Sequence, residues 1–254
     1  MKIELIGLKE IPIIDEKTDL SQIIIEAIEK QNLTIENQDI ILIAETLIAK
    51  SENEYINLDK ITPSQEANEI AKKTKKDPKI VEAILNYSNE IIALGPDFII
   101  SETKHGFVCA NAGIDESNAK EGLATPIPSN PDKSAAKIRE ALEKKYKKDL
   151  SVIITDTQGR AFRNGAVGVA IGSSGINPLW KRKGEKDLYD RPLETTEIAT
   201  ADELAAAASL IMGQANEGIP AVIIRGFSPF KDLRNTDIGI NPLIRQKEYD
   251  IFRP

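Results

Sequence analysis

Cysteine and histidine are almost absent from this chain of 254 residues, which has one of each, Cys109 and His105. A single cysteine excludes an internal disulfide and is typical of a reducing compartment, so we expect a cytoplasmic protein. With one histidine, a zinc or iron–sulfur site within one chain is close to excluded. Any metal ion must therefore be held mainly by oxygen ligands.

Long apolar runs and basic surfaces are also missing. No run reaches the roughly 20 apolar residues that a membrane helix requires, and charges at Lys2, Glu4 and Lys9 interrupt any signal-peptide core. The net charge is −7, and no Lys/Arg-rich run gives the electrostatic footprint of a nucleic-acid binder. We therefore expect small-molecule ligands, no membrane association and no nucleic-acid partner.

Short β-branched runs alternate with amphipathic stretches, a pattern that indicates an α/β fold with at least one sheet. The predicted strands cover residues 3–6, 40–44, 98–100, 152–154, 167–171 and 221–224. The predicted helices cover residues 19–31, 64–74, 78–93, 134–147 and 201–212. We expect one domain over residues 1–254, built as one unit or two closely joined lobes, with a tail at 227–254 for docking or dimer contact.

One predicted strand stops at a group of polar residues. The apolar run 152–154 is followed by Thr155, Asp156 and Thr157. Ligands of open α/β sheets bind beyond the carboxyl ends of the strands, and a carboxylate with a hydroxyl suits Mg²⁺ or Mn²⁺ shared with phosphate. The alternative is that Asp156 only caps the following turn.

A second passage from strand to loop, at residues 107–118, ends in oxygen-bearing side chains that include Asp115 and Asn118. Asp115 could join Asp156 on the same cation, which would give enough charge for one or two hard metal ions. An ordinary turn rich in Asp and Asn is the alternative for this segment.

Three further features could bind phosphate. Gly213 and Gly218 in the segment 212–220 allow close backbone approach, although Gly213 could simply end a helix. Arg160 and Arg163 are candidate phosphate or carboxylate clamps, or solvated surface residues. Lys50 could hold a phosphate, or be exposed at the end of the apolar stretch 40–49.

The common nucleotide motifs are absent. No G-x-x-x-x-G-K-[ST] loop is present, and no G-x-G-x-x-G follows a strand. Neither G-x-S-x-G nor the protein-kinase motif set appears. A nucleotide would therefore bind in neither a P-loop nor a Rossmann fold.

Taken together, the segments resemble one family, the coenzyme F420 γ-glutamyl ligases. The resemblance rests on the order and spacing of several motifs up to about residue 225: residues 11–14, the strand running to Glu45-Thr46 and Lys50, residues 105–115, residues 156–175, and residues 212–220. It implies a mixed α/β fold of the family's own and an intertwined homodimer.

The activity that the resemblance implies is GTP-dependent addition of L-glutamate to the side chain of a coenzyme F420 precursor, releasing GDP and phosphate. The expected route is phosphorylation of the substrate carboxylate and attack of the glutamate amine on the acyl phosphate. The resemblance also implies dependence on Mn²⁺ or Mg²⁺, with two ions expected, and stimulation by K⁺.

By the same resemblance, the divalent-metal positions are Asp115, Asp156, Thr157 and Gln214. The GTP positions are Ile11, Pro12, Ile13, Ile14, Glu45, Thr46, Lys50, Asn118, Met212, Gly213, Gln214, Ala215, Asn216, Glu217, Gly218 and Ile219. No residue is assigned as the general base.

The chain departs from the family pattern at two places. Ser51-Glu52-Asn53-Glu54 replaces the usual Ala-Glu-Gly-Arg, and Asp190 replaces a glycine before Arg191. These differences leave open a ligase of the same architecture that acts on another carboxylate. A non-catalytic nucleotide-binding module is a third hypothesis, against which the intact pair Asp115 and Asp156 speaks.

Overall fold

The computed structural model describes residues 2–250. The helices are α1 (Leu20–Lys30), α2 (Glu45–Glu52), α3 (Gln65–Thr74), α4 (Pro78–Tyr87), α5 (Pro131–Tyr146), α6 (Thr200–Met212) and α7 (Phe230–Leu233). The strands are β1 (Glu4–Gly7), β2 (Ile40–Ala44), β3 (Ile56–Asn57), β4 (Ser88–Leu94), β5 (Ile99–Thr103), β6 (Val108–Ala110), β7 (Leu123–Ala124), β8 (Ser151–Arg160), β9 (Arg163–Ser174), β10 (Trp180–Lys181), β11 (Glu197–Ile198) and β12 (Ala221–Arg225). The predicted α/β class, with a mixed sheet, is confirmed.

A five-stranded sheet in the order β1-β12-β2-β8-β9 organises the larger part of the described chain. The pair β2 and β8 is parallel, and the other neighbours are antiparallel. Ile41 and Ile43 pack in a core with α1 and α5, while Ile40 and Leu42 pack in a second core with α6 and α7. Because both faces of β2 are buried, all of its residues are apolar.

A second lobe has its own core. A third apolar cluster draws its buried members from Ile56 to Ala124 only, on α3, α4 and the short strands around them. The strands β4, β5 and β6 form a three-stranded sheet, and β3 pairs with β7. Cys109 and Phe107 pack against the core that contains α1 and α5, and β6 also contacts β8. The segment around β6 therefore connects the second lobe to the five-stranded sheet.

The predicted helix over 78–93 is wrong in its second half. Helix α4 ends at Tyr87, and β4 follows at once and pairs with β5. Ser88 is already extended, with φ −101° and ψ 150°, and its hydroxyl donates to the Ile84 carbonyl at 2.6 Å. Pairing with β5 therefore overrides the helical spacing of the apolar residues.

The apolar stretch 40–49 is not one strand, because its second half belongs to α2. Strand β2 passes directly into α2, so Lys50 lies on a helix and is 9% exposed. Asp156 does not end its strand, because β8 continues to Arg160 in a hairpin with β9. The parallel pairing of β2 with β8 does end beside it, at Ala44 and Thr155.

The C-terminal segment packs along the body of its own chain. Phe230, Leu233 and Ile240 are buried in the core beside α6. Further along, the Lys247 ammonium lies 2.9 Å from the Glu102 carboxylate in the second lobe. Residues 251–254 of the predicted tail lie outside the described residues, and its role in a dimer stays a prediction. No helix within residues 2–250 is long and apolar enough to cross a membrane.

Each departure from the family pattern places a residue with left-handed backbone where the family usually has glycine. Asn53 is the C-cap of α2 with φ +63°, and Asp190 has φ +60°. Asparagine and aspartate adopt this conformation more readily than other side chains do, and glycine adopts it freely. The two replacements therefore keep a backbone that glycine also accepts.

This conformation makes a testable prediction at Asn53. We expect Asn53→Gly to leave stability within a few tenths of a kcal/mol, whereas Asn53→Ala should lower the free energy of unfolding by about 1 kcal/mol. Urea unfolding followed by circular dichroism measures both. Equal stability of the alanine and glycine variants would show that the left-handed cap is not needed.

Candidate active site

A cleft of about 750 Å³ opens where β2 ends and α2 begins. We call it the main cleft. Five parts of the chain form its walls: the segment before α1, the start of α2, β6 with the loop after it, the second half of β8, and the end of α6 with the loop that leads to β12. The lining residues are Ile11–Ile14, Ala44–Leu47, Lys50, Cys109–Asn111, Gly113–Asp115, Ser117, Asn118, Thr155–Gly159, Ser209 and Met212–Pro220.

The N-terminus of α2 faces the main cleft. Ala44 is its N-cap and supplies no side-chain hydrogen bond, while Glu45 and Thr46 form the first turn. Free backbone N–H groups and the positive end of the helix dipole make such an end suited to phosphate. The direct passage from β2 into α2 places this end at the edge of the sheet.

Asp156 is held by its neighbours on β8. Its carboxylate accepts the Thr157 N–H at 2.5 Å and the Gln158 side-chain amide at 2.8 Å. Across the cleft, the Gln214 side-chain amide donates to the Thr157 hydroxyl at 3.1 Å. This hydrogen bond brings together two predicted metal positions that are separated by 57 residues in the chain.

Asp115 reaches the main cleft from the second lobe. Its backbone pairs with Thr125 in an isolated bridge, and its carboxylate accepts the Ser117 N–H at 2.8 Å and also the Ser117 hydroxyl. The turn predicted as an alternative is therefore present. The carboxylate still lines the cleft with Asp156, so the capping and ligand roles are compatible.

Glu45 is a buried carboxyl of the main cleft with a perturbed pKa. The side chain is buried, and its Oε2 atom has no hydrogen-bond partner among the described residues. Burial, followed by the negative charges of Asp156 and Asp115, raises the pKa of the Glu45 carboxyl well above its usual value. Burial also raises the pKa of Asp156, although hydrogen bonds from Gln158 and Thr157 oppose the shift.

Lys50 carries the only positive side chain among the lining residues that the structure describes. Its ammonium donates to the Asn118 carbonyl, which ties α2 to the loop of the second lobe. Asn118 adopts φ +52°, so its backbone turns toward the lysine. A single cation among several carboxylates leaves the cleft acidic.

The loop after α6 forms the last wall. Gly213 ends the helix with φ +71°, and the Glu217 carboxylate lies so close that a Cβ on Gly213 would overlap it. Glu217 accepts the Ala215 N–H at 2.8 Å, and hydrogen bonds from backbone N–H groups, first that of Ala215, lower the pKa of Glu217. The loop is therefore a preformed wall in which Gly213 cannot be enlarged without displacing Glu217.

The structure collects the predicted GTP and metal residues into this one cleft. All of them appear among its lining residues, although they come from five separate parts of the chain. Arg160 and Arg163 do not line it; they lie exposed at the tip of the β8–β9 hairpin, where Arg160 donates to the Asn164 carbonyl at 2.9 Å. His105 is also outside, bonded to the Ser129 carbonyl at 3.2 Å.

Several lining residues were not assigned to the site from the sequence, and Ser209 and Cys109 are two of them. Ser209 lies three residues before Met212 on α6, so helical periodicity would have placed it on the same face. Cys109 lies on β6 and is 6% exposed. Burial, with the charges of Asp156 and Glu45, raises the pKa of its thiol to about 12.

This pKa predicts an unreactive thiol. At about pH 8, folded Cys109 is almost wholly protonated, and thiols alkylate through the thiolate. We expect no adduct after treatment with iodoacetamide for a time that fully alkylates the urea-unfolded chain, as read from intact mass. A cysteine-containing peptide in the same tube serves as the reactivity control. Rapid alkylation of the folded protein would contradict the assignment.

The donor set fits a hard divalent cation. Asp115, Asp156, Thr157 and Gln214 present carboxylate, hydroxyl and amide oxygens, which Mg²⁺ and Mn²⁺ prefer. Within residues 2–250, no three Asp, Glu, His or Cys side chains form a metal site by themselves. The hydroxyl, the amide and oxygens of a bound phosphate or water would have to complete the coordination.

Comparison with known proteins places the chain in one family. Coenzyme F420:L-glutamate ligase of Methanothermobacter thermautotrophicus is 57% identical over 100% of both chains. The protein of the same name from Methanocaldococcus jannaschii is 55% identical, covering 99% of this chain and 97% of its own. That from Methanosarcina mazei is 46% identical over 100% and 96%. Residues 9–226 match the family described as F420-0:Gamma-glutamyl ligase, and the chain belongs to this family.

Proposed function

We propose that this chain is a GTP-dependent ligase that adds L-glutamate to the side chain of the coenzyme F420 precursor, in coenzyme F420 biosynthesis. The first bond is an amide and later ones are γ-linked. The observation that carries the proposal is the composition of the main cleft, where Asp115 and Asp156 face the open N-terminus of α2 beside Lys50. Its relatives are named for ligation of L-glutamate to coenzyme F420.

The nucleotide occupies the main cleft in this proposal. The N–H groups at the start of α2 and the Lys50 ammonium are donors for its phosphates. Residues 11–14 and the loop 212–219 form two further walls of the cleft. A cleft of about 750 Å³ is within the size range of small-molecule sites.

Electrostatics supports a requirement for metal ions. The cleft holds Glu45, Asp115, Asp156 and Glu217 against one lysine, so a polyphosphate would meet a surface of its own charge sign. Divalent cations held by Asp115, Asp156, Thr157 and Gln214 would offset that repulsion when bound. We propose two ions, Mg²⁺ or Mn²⁺, together with K⁺ as an activator.

Ligation then follows from activation of a carboxylate. A carboxylate of the precursor attacks the γ-phosphorus of GTP, which releases GDP and forms an acyl phosphate. The glutamate amine attacks the acyl carbon, loses a proton, and expels inorganic phosphate as the amide forms. The main cleft contributes mostly position and charge, because phosphoryl transfer depends on alignment and electrostatic stabilisation more than on covalent chemistry of the protein.

The same proposal includes a cytoplasmic homodimer. Two projections carry exposed apolar side chains, Phe162 at the β8–β9 tip and Leu188 with Tyr189 in the loop after β10. Their exposed fractions are 90%, 99% and 78%, so contact with a second chain would remove this apolar surface from water. Light scattering should give the mass of two chains, and a monomer at micromolar concentration would remove this part of the proposal.

The acyl phosphate is testable with a precursor whose carboxylate carries a heavy oxygen isotope. We expect one labelled oxygen in the inorganic phosphate for each amide formed, because carboxylate oxygen stays with phosphorus when the amine attacks. Phosphate without label would exclude the acyl phosphate. GTP binding with no glutamate-dependent phosphate release would instead favour the non-catalytic module.

A further inference from the structure

Three consecutive residues in the wall of the main cleft have left-handed backbone. Asn111, Ala112 and Gly113 follow β6 directly, with φ of +54°, +55° and +68°. Asn111 and Gly113 line the cleft. Glycine adopts this conformation freely, but residues with a Cβ adopt it at an energetic cost and usually one at a time. We call these three residues the left-handed turn.

The surrounding packing holds the left-handed turn in place. Ala112 is buried in the apolar core of the second lobe. A Cβ added to Gly113 would lie 2.5 Å from the Ile127 side chain, so this backbone is tightly packed. The Asn111 carbonyl accepts the Ile114 N–H at 3.0 Å. Strained backbone persists only where the surrounding structure maintains it, and it is concentrated at functional sites.

The side chain that the turn presents to the cleft is oriented by β5. The Oδ1 atom of Asn111 accepts the Ile99 N–H at 3.4 Å. Because an N–H group needs an acceptor, this contact identifies the amide oxygen, and the Nδ2 group is on the other side of the amide. Nδ2 is accessible and donates to no residue from 2 to 250. Asn111 therefore offers the main cleft a donor that no protein group uses.

The charge of the main cleft gives this donor its value. Four carboxyl side chains line the cleft, and Lys50 is the one cation among its described lining residues. Ionised carboxylates accept hydrogen bonds but cannot donate them, whereas an amide donates without adding charge. Among asparagine, aspartate and glycine, which adopt left-handed backbone most readily, only asparagine has a side-chain donor. Asparagine thus meets both requirements at position 111.

We infer that Asn111 is a substrate-binding residue of the main cleft, whose side-chain amide donates to a negatively charged oxygen of a reactant. A phosphate oxygen of the nucleotide and a carboxylate oxygen of the precursor or of glutamate share this chemistry. The contact is direct, unlike that of Asp115 and Asp156, which act through a cation. The inference rests on the proposed ligase function, because that function brings such oxygens into the cleft.

Two substitutions separate the amide from the backbone that carries it. Asn111→Asp keeps the left-handed conformation and the oxygen that accepts the Ile99 N–H, but it replaces the donor with a charged acceptor. Asn111→Gly keeps the conformation and removes the side chain without adding charge. Asn32→Asp is the matched control, because Asn32 is exposed with φ +53° and does not line the main cleft.

Steady-state ligation with the precursor, GTP, L-glutamate and Mn²⁺ measures the effect. We expect kcat/KM to fall about ten-fold in Asn111→Gly and about a hundred-fold in Asn111→Asp, with Asn32→Asp unchanged. Mn²⁺ binding without nucleotide, read by electron paramagnetic resonance, should stay at the wild-type level in Asn111→Gly. Urea unfolding checks that each variant is folded, and the two Asn111 variants are independent, so that either one is decisive.

Binding measurements identify the oxygen that Asn111 contacts. Weaker calorimetric binding of a non-hydrolysable GTP analogue with Mn²⁺ in Asn111→Gly would assign the contact to a nucleotide phosphate. Normal binding of the analogue with a raised KM for the precursor or for glutamate would assign it to a carboxylate. A fall in kcat alone would assign it to the phosphoryl group during transfer.

The outcomes that overturn the inference differ from those that overturn the proposed function. Wild-type kinetics in both Asn111 variants, or an equal loss in Asn32→Asp, would overturn the inference and leave the ligase function intact. A loss of Mn²⁺ binding in Asn111→Gly as large as the loss of kcat/KM would also overturn it, because Asn111 would then act only through the metal site. A wild-type protein that neither binds the GTP analogue nor ligates glutamate would remove the proposed function, and the inference with it.

Discussion

Replacing Asp156 with asparagine should lower glutamate-dependent GTP turnover by about a thousand-fold, because in the proposed mechanism Asp156 is a charged ligand of the cation that offsets phosphate charge. Asparagine keeps the shape of the side chain and the oxygen that accepts the Thr157 N–H. We expect Mn²⁺ binding, read by electron paramagnetic resonance, to weaken in parallel with turnover.

The free energy of unfolding of this variant should not fall together with its activity. Burial raises the pKa of Asp156, so the folded protein without metal disfavours the ionised carboxylate at neutral pH. Removing that charge should leave the free energy of unfolding unchanged or raise it by about 1 kcal/mol. The advantage of asparagine should be full above the raised pKa of folded Asp156, shrink as pH falls from that value to the usual aspartate pKa, and be absent below it.

A carboxyl outside the cleft provides the control for this experiment. Asp202 on α6 also has its pKa raised by burial, and it accepts the Ala170 N–H at 2.9 Å without lining the main cleft. Asp202→Asn should keep nearly full turnover and Mn²⁺ binding. Normal activity of Asp156→Asn, or an equal loss in both variants, would remove Asp156 from the metal site.

The largest expected loss of stability comes from Asp39→Ala. The Asp39 side chain is 1% exposed and accepts from Arg225 in a bidentate pair, at 2.9 Å from Nε and 2.7 Å from Nη2. It also accepts the Glu36 N–H at 2.8 Å. Alanine would leave the partly buried guanidinium short of its main partner, which should cost about 3–5 kcal/mol in the free energy of unfolding.

Glu36→Gln is the matched control for that loss. Glu36 binds the same guanidinium at 2.9 Å, but its side chain is 58% exposed. Solvent screening should limit its effect to below about 1 kcal/mol. Urea unfolding at neutral pH measures both variants. Similar losses of unfolding free energy in the two variants would show that burial does not determine how much the Asp39–Arg225 pair stabilises the protein.

Apolar patterning predicted the strands of the central sheet well because β2, β8 and β12 are buried on both faces. Their positions could be read as uninterrupted β-branched runs without knowledge of their neighbours. Where β8 leaves the core, its residues from Asp156 to Arg160 become polar and partly exposed, and only pairing with β9 keeps them in a strand. That pairing is a tertiary property, so the sequence suggested a strand end instead.

The same limit explains the error at residues 88–94. Ile91 and Ile92 continue the apolar spacing of α4, and their polar neighbours suit a helix surface as well as a strand. Residues 88–94 form a strand because the edge of β5 supplies their hydrogen-bond partners. The intrinsic propensity of a segment does not predict which later strand it will pair with.

For the candidate site, the sequence predicted residues that all line the main cleft, but it did not predict their electrostatics. Resemblance to the family and the polar ends of strands identified Asp115 and Asp156. The perturbation of Glu45 was invisible, because it arises from burial and from charges that come from other segments.

The most direct test of the proposed function is the product mass after incubation with the unglutamylated coenzyme F420 precursor, GTP, L-glutamate and Mn²⁺. We expect mass increments of whole glutamyl residues on the precursor, with one GDP formed per increment, and none when GTP or glutamate is omitted. An unchanged precursor mass, with the folded protein and all components present, would contradict the proposed function.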